Sequence, residues 1–126
     1  MRRAIQTDAA PAAIGPYSQA INVGDMLWMS GQIALSPTTM ELVGITAAEQ
    51  AEQVLKNMGA VLDAAGFTYD DLVQCTIFLI DLNDFNSVNE VYARYMPNPP
   101  PARATVEVSR LPKDVLVEIG AVARKV

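Results

Sequence analysis

The chain has 126 residues, of which 51% are hydrophobic and 18% charged, and its formal net charge is −5. This length predicts one domain, residues 1–126, with a single core. No apolar run approaches the roughly 20 residues of a membrane helix, and the nine Lys and Arg form no basic stripe of the kind that phosphate binding needs. We therefore expect neither a membrane nor a nucleic-acid partner.

Two residue counts narrow the chemistry further. The sequence contains no histidine and one cysteine. Ser-His and Cys-His nucleophile pairs, His-based zinc sites and an internal disulfide are thereby excluded. The start, MRRAIQTDAAPAAIGPY, has no apolar signal core behind its arginines, and a chain without disulfides fits a reducing compartment, so we expect a cytoplasmic protein.

The first half of the chain predicts two strands and one long helix. YSQAINV (17–23) and MLWMSGQIAL (26–35) have the composition of strands joined at a short turn, and an extra short strand near 40–44 would fit the pattern. ITAAEQAEQVLKNMGAVLDAAG (45–66) has apolar residues at helical spacing, opens on a Thr-x-x-Glu capping box and ends on a glycine. We expect this helix to cover one face of a sheet.

The second half predicts a strand, a helix and two more strands. LVQCTIFLID (72–81) is nearly all apolar, which favours a strand buried on both faces. DFNSVNEVYARYM (84–96) has helical spacing and is stopped by Pro97, and ARATVEVS (102–109) and VLVEIGAVA (115–123) alternate as strands do. Two helices on one face of a mostly antiparallel or mixed sheet give an α+β architecture.

The last predicted strand is apolar on both of its faces. If both helices cover one face of the sheet, the other face has nothing to pack against in a chain this short. We therefore expect an oligomer whose interface is the uncovered sheet face.

Two charged residues stand out in this C-terminal half. Glu118 lies between Val117 and Ile119, and burying a carboxylate without a partner costs several kcal/mol, so it must meet a cation, a set of donors or a solvated cleft. Arg103 opens the preceding strand and carries the planar fork that grips carboxylates. An ion pair or an edge position would explain both residues; the functional alternative is that they line one pocket.

Five stretches carry a resemblance to a known family over almost the whole chain. They are AAIGPYSQA (12–20), MSGQIAL (29–35), VLDAAG (61–66), DLNDFNSVNEVYARYM (81–96) and PARATVEVSRLPKDVLVEI (101–119). Together they resemble the RidA family, also called YjgF or L-PSP, and the last closely matches its signature. The resemblance implies a chorismate-mutase-like α+β fold with a mixed six-stranded sheet, assembled as a homotrimer with three clefts between subunits.

The resemblance also implies an activity. Members of its deaminase branch hydrolyse 2-imino and 2-amino-enoic acids, such as 2-aminoacrylate and 2-aminocrotonate released by pyridoxal-phosphate-dependent dehydratases, to 2-keto acids and ammonia, without metal or cofactor. The alternative is a trimer that binds small carboxylates or keto acids in the same clefts without turning them over. Endoribonuclease activity has been attached to some relatives, and the acidic charge balance argues against it here.

The site residues that the resemblance implies are these. Arg103 matches the arginine that clamps the substrate carboxylate, and Glu118 matches the glutamate that orients water and moves protons. The substrate-binding positions are Tyr17, Ser30, Gly31, Asn89 and Thr105. Because an imine is already activated, positioning and electrostatics suffice for its hydrolysis.

Three positions depart from the family pattern. Thr105 stands where several members carry cysteine, Gly120 replaces an acidic residue, and Met40 takes the place of a glycine common in that turn. We expect these changes to affect rate and substrate preference more than the class of reaction.

Overall fold

The computed structural model describes residues 1–125, which form a six-stranded mixed sheet with two helices packed on one face. The strands are β1 Arg2–Ile5, β2 Ala20–Val23, β3 Met26–Gln32, β4 Leu72–Leu79, β5 Ala102–Glu107 and β6 Val117–Arg124, and the helices are α1 Ala47–Ala65 and α2 Phe85–Tyr95. Their order across the sheet is β1-β2-β3-β6-β4-β5. Only β4 and β5 run parallel, and the other neighbours are antiparallel. The predicted α+β fold is confirmed.

Helix α1 begins and ends where its caps predict. The Thr46 hydroxyl accepts a hydrogen bond from the Glu49 amide at 3.2 Å, and the Glu49 carboxylate accepts one from the Thr46 amide at 3.0 Å. Gly66 ends the helix with φ +80°, a conformation that costs glycine little. The helix lays its apolar stripe, including Leu55, Met58 and Leu62, into the core.

The sixth strand is not where the sequence pattern placed it. Residues 40–44 make only an isolated bridge, Leu35 to Leu42, whereas β1 at the N-terminus pairs antiparallel with β2. Strand β1 is an edge strand whose side chains are exposed except for that of Ile5. It therefore needs no alternating apolar pattern, and a segment that begins with two arginines does not have the composition by which strands are predicted.

Strand β4 was expected to be buried on both faces, and in the single chain it is not. Cys75, Ile77 and Leu79 are buried against the helices, while Thr76 and Phe78, on the opposite face, are only half-buried. The reason is that both helices lie on the same side of the sheet. The apolar run shows that the second face is suited to burial, but no element of residues 1–125 covers it.

The same uncovered face runs across the rest of the sheet. On β6, the residues that face the helices are buried, and the alternate residues are half-buried except for Arg124, which is exposed. The buried residues are Val117, Ile119, Ala121 and Ala123. The uncovered face also carries Trp28, which is 54% exposed, and Val106, which is 41% exposed. The predicted bare, apolar sheet face is present.

Candidate functional site

The residues singled out in the sequence lie on two different surfaces of the chain. Arg103 is paired in register with Cys75, whose side chain lies on the helix-covered face of the sheet. Glu118 is paired with Phe78, whose side chain lies on the bare face. Because paired residues of neighbouring strands point to the same side, Arg103 and Glu118 lie on opposite faces. The expectation that they line one pocket is not met within one chain.

The reason for this separation is the register between β5 and β6. Strand alternation tells which residues of one strand share a face, but β4 lies between these two strands. Only the pairing of β4 with each of them decides which face of β5 corresponds to which face of β6. The seven site residues accordingly form two groups, which we call the arginine surface (Asn89, Arg103, Thr105) and the glutamate surface (Tyr17, Ser30, Gly31, Glu118).

Helix α2 holds the arginine of the arginine surface in place. Arg103 donates a hydrogen bond from Nη1 to Oδ1 of Asn89 at 2.6 Å. Its guanidinium carbon lies 5.0 Å from the ring centroid of Tyr92 and 5.5 Å from that of Phe85, within the range of cation–π contacts. These three residues follow one another at i, i+4 and i+7 on one face of the helix. The guanidinium is thus oriented before any ligand arrives, with donors left over.

Two contacts of this surface were missed from the sequence. Phe85 and Tyr92 have the spacing of core residues, and α2 does bury Tyr92. The helical spacing of Phe85, Asn89 and Tyr92 places them on one face of α2. It predicts contact with Arg103 only when β5 is known to lie beside this helix.

Strand β4 lies beside β5 and places the Cys75 thiol next to Arg103. Burial raises the pKa of the Cys75 thiol, against smaller opposing effects of Tyr92 and Arg103, and burial also raises the pKa of the Tyr92 hydroxyl. Both groups therefore stay protonated near neutral pH, and the thiol is not a nucleophile. The nearby Thr105 hydroxyl is buried without a hydrogen-bond partner among residues 1–125.

The glutamate surface centres on a carboxylate with little around it. Glu118 is half-buried, and burial raises its pKa above the usual range. Within the described residues its carboxylate takes part in no hydrogen bond or ion pair. A group in this state is a better proton acceptor than an exposed glutamate, because its charged form is poorly solvated.

Gly31 makes room for this carboxylate. A Cβ built on Gly31 would lie 2.9 Å from the carboxyl carbon of Glu118, closer than side chains approach one another. A bulge between Met29 and Gln32 carries Ser30 and Gly31 and shifts the register against β6 by one residue. Glycine at this position therefore brings the β3 backbone directly against the carboxylate.

Ser30 and Tyr17 complete the glutamate surface. The Ser30 hydroxyl donates to the carbonyl of Ser18 at 2.6 Å, which ties the bulge to the segment that carries Tyr17. The Tyr17 ring is 52% exposed, and its hydroxyl accepts a hydrogen bond from the Ile14 amide at 3.3 Å. Tyr17 and Gly31 line a cavity of about 260 Å³. The surface thus offers an aromatic wall beside a basic carboxylate.

Among residues 1–125, no cluster of three or more Cys, Asp or Glu side chains is arranged to hold a metal ion. No helix in this part of the chain is both long and apolar enough to cross a membrane.

The fold defines an α+β protein of the YjgF type, and its candidate site residues lie on two surfaces. Residues 7–125 match the family described as Endoribonuclease L-PSP. The chain belongs to the RidA/YjgF/L-PSP family.

Relatives of known name agree with this assignment. The chain is 53% identical over 125 residues to a RutC family protein of Saccharolobus solfataricus, covering 99% of both chains. It is 50% identical over 123 residues to the human 2-iminobutanoate/2-iminopropanoate deaminase, covering 98% of this chain and 90% of that protein. The crystal structure of RidA from an Antarctic Psychrobacter superposes with a TM-score of 0.94 at 46% identity, covering 98% of this chain and 99% of the other.

Proposed function

We propose that this protein hydrolyses reactive 2-imino acids and their enamine forms, such as 2-aminoacrylate and 2-aminocrotonate, to 2-keto acids and ammonia. The observation that carries the proposal is an oriented guanidinium, at Arg103, together with a partly desolvated carboxylate, at Glu118, that has no hydrogen-bond or ion-pair partner among residues 1–125. The name of the human relative supports this reaction class. The substrates would come from dehydratases that use pyridoxal phosphate, since these release enamines of amino acids.

The site of this reaction is shared between two copies of the chain. Arg103 and Glu118 lie on opposite faces of one sheet, so a single molecule cannot bring both to one substrate. When the arginine surface of one copy meets the bare sheet face of the next, the contact joins two different patches. Such contacts form a closed ring when the rotation between copies closes, as a threefold rotation does. We propose a homotrimer with one complete site at each of its subunit contacts.

In this site the arginine surface binds and the glutamate surface reacts. Arg103 donates one hydrogen bond to Asn89, and its remaining N–H groups can bind the substrate carboxylate through two parallel hydrogen bonds. The backbone amides of Thr105 and, from the neighbouring copy, Gly31 would add donors to the same carboxylate. This leaves the C=N carbon facing Glu118.

Hydrolysis then needs only proton transfers through Glu118. Its carboxylate takes a proton from water as the oxygen bonds to the carbon of the protonated imine, and it returns this proton to the nitrogen of the tetrahedral intermediate. It next takes the hydroxyl proton as the C–N bond breaks and passes it to the departing ammonia. Ammonium and a 2-keto acid leave, and the carboxylate is regenerated. An enamine enters this sequence after a proton adds to its C3.

The test is a dehydratase reaction that generates 2-aminocrotonate from threonine, with semicarbazide trapping the imine that remains. Wild-type protein should lower the amount trapped and speed release of 2-oxobutanoate, and Arg103→Ala should lose this effect by about 10²- to 10³-fold. Arg94→Ala is the matched control, because this exposed arginine lies in the last turn of α2.

Two results would contradict the proposal. No acceleration by a folded, oligomeric wild-type protein would favour the alternative, a trimer that binds small carboxylates or keto acids without turnover. Dissociation of Arg103→Ala on a sizing column would make the arginine structural instead of substrate-binding.

A further inference from the structure

The cavity beside Tyr17 and Gly31 extends well beyond the residues that the reaction requires. Its volume is about 260 Å³, near the lower end of small-molecule pockets, so it suits part of one small metabolite. Most of the wall is aliphatic and includes Pro11, Ile14, Ile33, Leu35 and Met40. None of these side chains carries an exchangeable proton or a basic group, so none serves the proton transfers at Glu118.

The most deeply buried polar side chain in this wall is already satisfied. The Gln19 amide nitrogen donates to the carbonyls of Pro11 at 2.8 Å and Thr7 at 3.0 Å, and its oxygen accepts from the Thr7 amide at 2.8 Å. Gln19 therefore ties the N-terminal segment to β2 and is not available to a ligand, which leaves Tyr17, Gln32 and Lys113 as the polar side chains in a mainly aliphatic wall. Because aliphatic side chains make up most of the wall, the cavity is best matched by a mainly apolar group.

Two residues of this wall have an unusual backbone. Met40 has φ +62° and Lys113 has φ +56°, in the left-handed region that side chains other than that of glycine rarely adopt. They come from separate loops, yet both line this cavity. The third such residue among those described, Asp114, does not. Strained residues of this kind concentrate where a side chain must be presented to a ligand.

The loop around Met40 fixes this conformation. The Met40 amide donates to the carbonyl of Ser36 at 2.8 Å, and the Ser36 amide donates to the carbonyl of Glu41 at 2.8 Å. The Ser36 hydroxyl also accepts from the amides of Thr38 and Thr39. The turn is therefore closed on both sides of Met40, and its side chain is held at the cavity wall.

We infer that this cavity receives the aliphatic side chain of the 2-imino acid, and that Met40 limits the length of the side chain accepted. The inference rests on the proposed function. A substrate whose C=N carbon lies at Glu118 is next to Gly31, and Gly31 and Tyr17 also form the near wall of the cavity. The favoured substrates are thus straight-chain aliphatic 2-imino acids longer than the three-carbon one.

The test measures binding of the corresponding 2-keto acids, from 2-oxopropanoate to 2-oxohexanoate, to the intact oligomer by calorimetry. In wild type, each added methylene should tighten binding about threefold to fourfold until the chain reaches Met40, after which the gain stops. Met40→Gly should move this end point to a longer acid. Ile33→Ala, which opens another part of the wall, should do the same.

Asp114→Gly is the matched control, because it relieves the same backbone conformation outside the cavity and should leave the series unchanged. Affinities independent of chain length, or identical series in wild type and Met40→Gly, would overturn the inference. The assay needs no turnover, so its failure is separable from failure of the proposed function. Length-dependent binding without hydrolysis of any imine would overturn the deaminase and leave the aliphatic ligand class standing.

Discussion

The arginine surface and the glutamate surface differ in how firmly the chain holds their central charged residue. Three side chains of α2 contact Arg103, so its orientation is set before a ligand binds and little entropy is lost on binding. Glu118 is held by no hydrogen bond among the described residues, and its burial keeps it basic. Under the proposed function, the residue that binds the substrate is held in place by its own chain, and the residue that exchanges protons has no hydrogen bond within residues 1–125.

The largest expected effect comes from removing the basic carboxylate of Glu118. Glu118→Gln keeps the shape but cannot accept a proton, so kcat should fall by about 10²- to 10⁴-fold in the imine assay. In wild type, activity should rise with pH as Glu118 ionises, at a pH above the usual glutamate range because burial raises its pKa. An acid limb that persists unchanged in Glu118→Gln would assign the proton transfers to another group.

Mixing two inactive variants tests whether the surfaces come from different copies. Arg103→Ala and Glu118→Gln subunits, unfolded and refolded together in equal amounts, should regain roughly a quarter of wild-type activity, because a quarter of the contacts join an intact arginine surface to an intact glutamate surface. Each variant refolded alone is the control. A mixture no more active than either variant would mean that one chain supplies both residues.

A smaller effect is expected when the support of the arginine is weakened. Phe85→Leu removes one of the two rings beside the guanidinium and should raise KM by about twofold to fivefold with little change in kcat. Phe85→Tyr should restore the wild-type KM. Tyr95→Leu is the control in the same helix, since its ring contacts Tyr69 instead. Equal changes in KM for Phe85→Leu and Tyr95→Leu would indicate a general disturbance of α2.

The smallest effect concerns stability. Burial raises the folded-state pKa of Glu118, so folding is favoured while the group is protonated, and this contribution is lost as pH rises through that pKa. Glu118→Gln should therefore melt slightly higher than wild type at pH 7, and the difference should vanish at pH values below the usual glutamate pKa. A lower melting temperature at pH 7 would instead show Glu118 paired with a cation across the subunit contact.

Much of this fold was accessible from the sequence, and the reasons for the failures are specific. The capping box at Thr46 and the apolar stripe of α1 are local signals, and the structure confirms both. Strand β1 was not predicted because an edge strand with mostly exposed side chains needs no alternation of apolar and polar residues. The sequence did not predict that Arg103 and Glu118 lie on opposite faces of the sheet. That placement depends on how β4 pairs with β5 and with β6, which alternation within one strand does not determine.

The bulge in β3 has a further consequence for how this strand tolerates changes in length. Met29 and Gln32 are three residues apart, yet they pair with Ala121 and Ile119, which are two apart, so one residue of β3 is extra. Deleting one residue there would rejoin the two halves of the strand in simple alternation. Met29 and Gln32 would then be two residues apart, as their partners are, so both halves of β3 would keep the faces they have now. A deletion of Ser30 or Gly31 should therefore spare the core and remove the close approach of the β3 backbone to Glu118, whereas a deletion elsewhere in β3 would turn part of the strand over.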